Sequence, residues 1–84
     1  MPVEHSSIIT APPGGVWTDE VGVLTGPLEL RTGCGDDGEL RVTVRYEGAD
    51  EWYAVRGGAA RLHDPADAEA LHTVLVGVLN RPEG

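Results

Sequence analysis

Eight consecutive residues, Leu40-Arg41-Val42-Thr43-Val44-Arg45-Tyr46-Glu47, alternate apolar and polar without a break. Side chains return to the same side every second residue only in extended backbone, so this run predicts a strand with one buried and one wet face. Leu28-Glu29-Leu30-Arg31-Thr32 carries the same period, and Gly33-Cys34-Gly35-Asp36-Asp37-Gly38 stands between the two runs. Glycine supplies positive φ and aspartate bonds its own backbone, so this hexapeptide reads as a hairpin loop. Glu29 and Arg31 then face Arg41, Thr43 or Arg45 across the wet side. Opposite charges paired in this way contribute roughly 0.2–1 kcal/mol each and help to fix register.

A second hairpin runs through Gly48-Ala49-Asp50 into Glu51-Trp52-Tyr53-Ala54-Val55-Arg56. Its register is open between two choices. If Tyr46 pairs with Glu51, Tyr53 and Val55 join Val42 and Val44 on the core face. A slip of one residue sends Trp52 and Ala54 inside instead, because it flips every side chain. Either choice leaves a large aromatic on the outer face beside Arg41 and Arg45. Gly57-Gly58 reads as a tight turn into a short strand over residues 59–62.

Upstream the β pattern is broken. Val16, Trp17, Val21, Val23 and Leu24 are its apolar points, with a turn at Asp19-Glu20. Pro27 follows Gly26 and opens the next strand, a position that can spare an N–H. Residues 1–15 hold the β-prone patch Ser7-Ile8-Ile9-Thr10 and then Pro12-Pro13-Gly14-Gly15, which ends any regular element. This head reads as a mobile tail or an edge strand, with the tail preferred, and residues 16–84 as one α+β domain.

The C-terminal helix has the fullest set of signals. Asp64 suits the N-cap, Pro65 the first helical position, and Asp67 and Glu69 the positive end of the dipole. Ala68, Leu71, Val74, Leu75, Val78 and Leu79 make a stripe about 140° wide at 100° per residue. Arg81 falls in the last turn and Pro82 ends the helix. The expected fold is therefore α+β: an antiparallel β-meander of four to five strands, with one C-terminal helix packed on one sheet face.

Composition narrows the function classes. The chain has 84 residues, 14 acidic and 6 basic, for a net charge of −8. Every basic residue is arginine, and the excess of Ala, Gly, Val, Arg, Asp, Glu and Pro is what G- and C-rich codons of a high-GC bacterium supply. Such acidity opposes binding to phosphate backbones and anionic membranes, so neither nucleic acid nor a membrane is an expected partner. No apolar run approaches the roughly 20 residues that span a bilayer. The head has no basic start, so no secretory leader is expected and a soluble, cytoplasmic protein is.

Candidate chemistry is sparse. Cys34, alone and set between glycines, reads as an exposed thiol whose acidic neighbours raise its pKa. Asp36, Asp37 and Glu39 are too few and too close for an EF-hand calcium loop. His5, His63 and His72 show no ligand spacing, and His72 falls at the border of the helix stripe. No metal, cofactor or catalytic residue is assigned.

Two surfaces remain. Arg41, Arg45 and Arg56 with Trp52 or Tyr53 form an outer-face cluster, and cationic forks beside an aromatic ring suit a partner protein or an anionic ligand. An ordinary charged sheet face gives the same pattern. Ala66, Ala70, Thr73 and Gly77, widened by Val76, form a ridge of small residues that would let a second helix approach for self-association. Alanine enrichment on an exposed helix is the plain alternative. The expectation is a small acidic, non-catalytic binding or regulatory protein, homodimeric, meeting a protein partner of basic character. The alternative is a small-molecule-binding protein or minor enzyme with its site on the outer sheet face.

Overall fold

The computed structural model describes residues 2–81. In chain order it holds β1 (Val3–Thr10), β2 (Val16–Thr18), β3 (Gly22–Leu24), β4 (Pro27–Cys34), β5 (Glu39–Tyr46), β6 (Tyr53–Arg61), a 3-10 turn (Pro65–Asp67) and α1 (Ala68–Leu79). All strand pairs are antiparallel, and the sheet order is β1-β4-β5-β6-β2-β3. The fold is thus α+β, a six-stranded antiparallel sheet with one C-terminal helix.

The expected four to five strands become six for three local reasons. The head pairs with β4 over the whole of β1, Val3 to Cys34 through Thr10 to Pro27, so it is an edge strand and not a tail. The broken segment divides into β2 and β3, joined by a turn in which Thr18 Oγ1 donates to the Gly22 carbonyl at 2.7 Å. The two segments expected around Gly57-Gly58 are one strand, β6, with a bulge between them. Thr43 faces Ala54 and Arg41 faces Ala59, so Val42 alone lies opposite residues 55–58. Gly57 takes φ +75 there, and a Cβ on Gly58 would lie 2.9 Å from the Val42 Cβ. The glycines serve a bulge where a turn was expected.

β4 and β5 follow their alternation. Leu28, Leu30, Thr32 and Cys34 of β4, with Leu40, Val42 and Val44 of β5, are buried, while Glu29, Arg31, Arg41, Thr43 and Arg45 face outward. The second hairpin takes the first of its two registers. Val44 pairs with Tyr53, and Tyr53 and Val55 pack on the core. Ile9 of β1, Val16 of β2 and Leu24 of β3 join Leu28, Leu30, Val42 and Val44 in one cluster. Strands from both ends of the order therefore meet in one core, and the sheet curls. Burying a Leu or Ile of this kind contributes roughly 1.5–3 kcal/mol before entropy is counted.

Two expectations are corrected. Cys34 is not in the loop. It ends β4, 2% exposed, against Leu40 and Ala68. The alternation that begins at Leu28 simply runs on through Thr32 to Cys34. The helix, for its part, is turned by roughly 60° from the expected stripe. Val74 and Val78 are 59% and 57% exposed, whereas His72 is buried and Leu75, Val76 and Leu79 pack on the core. The cause is His72, whose ring is held between strands as described below. Asp64 does cap, accepting from the Ala66 N–H at 3.0 Å, but the turn it caps is 3-10 and α1 starts at Ala68. Arg81 lies past the last helical turn, and Pro82 lies outside the described residues. No helix among the described residues is long and apolar enough to cross a membrane.

Candidate functional site

The outer face of the sheet gathers charge around one ring. Pairing Val44 with Tyr53 puts Trp52 next to Arg45 on the wet side, since neighbouring residues alternate faces. The indole lies over two guanidinium groups, Arg31 at 3.9 Å from the ring centroid and Arg45 at 4.5 Å. Each cation over a ring contributes roughly 0.5–1 kcal/mol at an accessible site. Arg45 is fixed further by Glu29, whose Oε1 accepts from Nε at 2.8 Å and lies 2.7 Å from Nη2. Arg31 Nε donates to Thr43 Oγ1 at 3.3 Å and stands 3.8 Å from Glu4 Oε2. Trp52 is therefore a pinned lid over a cross-strand network.

Arg41 differs. It is exposed, with no acidic or aromatic partner among the described residues, and it lines two shallow hollows. The larger hollow, about 390 Å³, lies among Glu4, Arg31, Gly33, Glu39 and Arg41. The smaller, about 190 Å³, lies over the β6 bulge, between Trp52, Gly58 and Arg41. Glu39 is already engaged, its Oε1 accepting from Arg61 Nη2 at 2.7 Å. On this sheet face Arg41 is thus a guanidinium that an anion could reach without displacing a carboxylate among the described residues.

The five residues expected together separate into three places. Arg41, Arg45 and Trp52 share the outer face. Tyr53 faces the core, where burial first, and then the Glu51 carboxylate, raise its hydroxyl pKa. Arg56 stands apart with Asp19 at 3.8 Å and the Trp17 ring at 5.5 Å. Arg31 is the member that sequence reasoning placed on the wet face but left out of the cluster. Its signal was the same alternation that placed Arg45.

The helix ridge also divides. Ala70, Thr73 and Gly77 are exposed on α1, and Ala66 is exposed in the 3-10 turn before it. Val76 instead packs on the core, and the exposed apolar side chains beside the ridge are Val74 and Val78.

A third cluster lies between the sheet and the helix. The His72 ring is 7% exposed, with Nε2 2.8 Å from Ser7 Oγ and Nδ1 2.8 Å from Thr32 Oγ1. The His5 ring stands 6.0 Å away. Burial, and then the charge of His5, lower the His72 pKa. A serine beside an imidazole is the start of a nucleophilic arrangement. Here neither outer-face hollow reaches it, and the group that orients the ring is a hydroxyl in place of a carboxylate. The triad joins β1, β4 and α1. At Cys34, burial and then Asp37, Asp64 and Glu39 push the thiol pKa up, away from nucleophilic chemistry.

Among the described residues no group of three or more His, Cys, Asp or Glu side chains is placed to hold a metal ion. Compared with protein-family models, curated proteins and solved structures, the chain finds no match in any of the three.

Proposed function

We propose that this chain is a small acidic binding or regulatory protein that works through protein–protein contacts, without catalysis or cofactor, and is a homodimer in the cytoplasm. The observation that carries the reading is the bare face of α1. Val74 and Val78 are more than half exposed and Ala70 and Gly77 lie beside them, where a solvated helix would show charged side chains. The net charge of −8 favours a partner with a basic surface and a salt-sensitive encounter. Light scattering on a reducing size-exclusion run at two concentrations tests the dimer. A mass near twice 8.9 kDa is expected, and a mass near 8.9 kDa at both concentrations refutes it.

A second reading, a small anionic ligand on the outer sheet face, is favoured by one observation: Arg41, without an acidic or aromatic partner among the described residues, stands between two hollows. Titrating inorganic phosphate and malonate while following tryptophan fluorescence tests it, since Trp52 lines the smaller hollow. A saturable change that Arg41→Ala removes supports this reading. A flat response to both anions ends it.

A further inference from the structure

β1 is a long strand with no strand paired on its outer side among the described residues. It heads the sheet order, and all eight of its residues pair with β4 without a bulge. The strand at the other end of the order, β3, has only three residues. In an antiparallel pair, residues alternate between those whose N–H and C=O point to the neighbour and those whose groups point away. Thr10 points away, for its N–H donates to Asn80 Oδ1 at 2.8 Å and its carbonyl accepts from the Arg81 N–H at 2.9 Å. Glu4, Ser6 and Ile8 share its parity, so their backbone groups face outward too, and no described group bonds to them. Sheet edges of this length are ordinarily blunted by a bulge, a proline or a lysine. Within β1 there is no bulge, proline or lysine, and its one carboxylate, Glu4, stands 3.8 Å from Arg31 on the sheet face.

We propose that a second copy of this chain pairs on this edge, β1 antiparallel to β1 about a twofold axis at Ser6. This rests on the homodimer reading above, but seats the self-contact on the sheet edge and leaves the bare Val74 and Val78 face of α1 for the partner protein.

The register follows from which residues are free. An axis at Ser6 sets Ser6 against the partner's Ser6 and Glu4 against the partner's Ile8, engaging all three open residues of each strand in six N–H···O=C bonds. An axis at His5 would put Ile8 against the partner's Pro2, which has no N–H. An axis at Ser7 would put Glu4 against the partner's Thr10, whose groups Asn80 and Arg81 already hold. An axis at Glu4 would oppose two carboxylates. Only the Ser6 axis avoids all three. It also sets Val3 against the partner's Ile9 on the core side and covers the edge beside Ile8, which is 52% exposed.

The helix fits the same axis. α1 packs on both β1 and β4, so its axis lies about one strand spacing from the dyad. Two copies then stand about 10 Å apart, twice a spacing of about 4.8 Å and a normal distance for packed helices. Asn80, which caps Thr10, marks the flank of α1 that borders the edge. Val76 and Thr73, four and seven residues before it, share that flank. Thr73 would thus meet the partner's helix, while Val74 and Val78 remain outside the contact.

The parent and two variants test the interface by mass in solution. Ser6→Pro removes an outward N–H while leaving the β4 ladder intact, and Val74→Glu with Val78→Glu charges the face of α1 that this contact leaves outside. The expected result is a dimer for the parent and for the Val74→Glu, Val78→Glu variant, and a monomer for Ser6→Pro with an unchanged far-ultraviolet spectrum. A Ser6→Pro protein that stays dimeric overturns the β1 interface but leaves the homodimer. A parent that is monomeric at every concentration overturns both. If Ser6→Pro fails to fold, Ser6→Cys takes its place. Directly paired residues here have Cα atoms about 5.5 Å apart, within disulfide reach, so it should oxidise to a covalent dimer while Ile8→Cys, facing Glu4, does not. The reverse pattern refutes the register.

Discussion

Acid should loosen the helix from the sheet through His72. Its pKa is lowered by burial and by the neighbouring His5, so the unfolded chain binds a proton more readily than the folded one. The sign follows. As pH falls through about 6.5, the ordinary histidine value, the unfolded state takes up the proton first and stability declines, until the folded-state pKa is passed and this contribution levels off. One differential proton gives a slope of at most about 1.4 kcal/mol per pH unit, or roughly 6–11 °C in Tm for a domain of this size. The carboxylates also titrate in acid, so the measurement is a comparison. Thermal unfolding is followed by circular dichroism between pH 7 and pH 5 for the parent and for His72→Gln. Glutamine offers a donor and an acceptor to Ser7 and Thr32 but does not titrate. The parent should lose several degrees more than the variant across that range. Parallel curves would refute the assignment of the acid sensitivity to His72.

Three further outcomes follow from the packing. Gly58→Ala should destabilise by about 1–3 kcal/mol in a urea melt, because its Cβ would lie 2.9 Å from the Val42 Cβ and 3.0 Å from the Val55 carbonyl oxygen. Trp52→Ala should cost about 1–2 kcal/mol by the same melt, from two lost cation contacts, and should leave Trp17 as the only indole emission. Cys34 should react with Ellman's reagent at pH 8 far more slowly in the native protein than in guanidinium, since it is buried and its thiol pKa is raised. Equal rates in the two solvents would refute the burial of Cys34.

Periodicity carried most of the fold into the sequence. Leu28 to Thr32 and Leu40 to Glu47 repeat every second residue, so both strands and their faces were legible, and with them the outward arginines. What stayed hidden depended on pairings between distant residues. Nothing local says whether Gly57-Gly58 turns the chain or bulges it. That is decided by Val42 across the sheet, which leaves room for backbone and not for a Cβ. The helix wheel misled because it ranks residues by hydrophobicity. Val74 outranks His72 on any such scale, yet His72 is inside, its two ring nitrogens matched by Ser7 and Thr32 from two different strands. The same blindness assigned Tyr53 to the outer cluster, since the register that turns it inward is set by Val44.

The bonds that fasten β1 have a consequence in time. Ser7 meets His72 across 65 residues of chain and Thr10 meets Asn80 across 70. On the ribosome the first strand is made long before β4 can pair with it, and longer still before α1 emerges to cover its inner face. Closing such distant contacts late is what slows folding in sheet-rich domains. For that interval β1 has two open edges and an uncovered face, and its polar residues Glu4, His5, Ser6 and Ser7 should disfavour its association with other exposed strands. Replacing them with valine or isoleucine would strengthen the finished strand and expose a sticky one during synthesis.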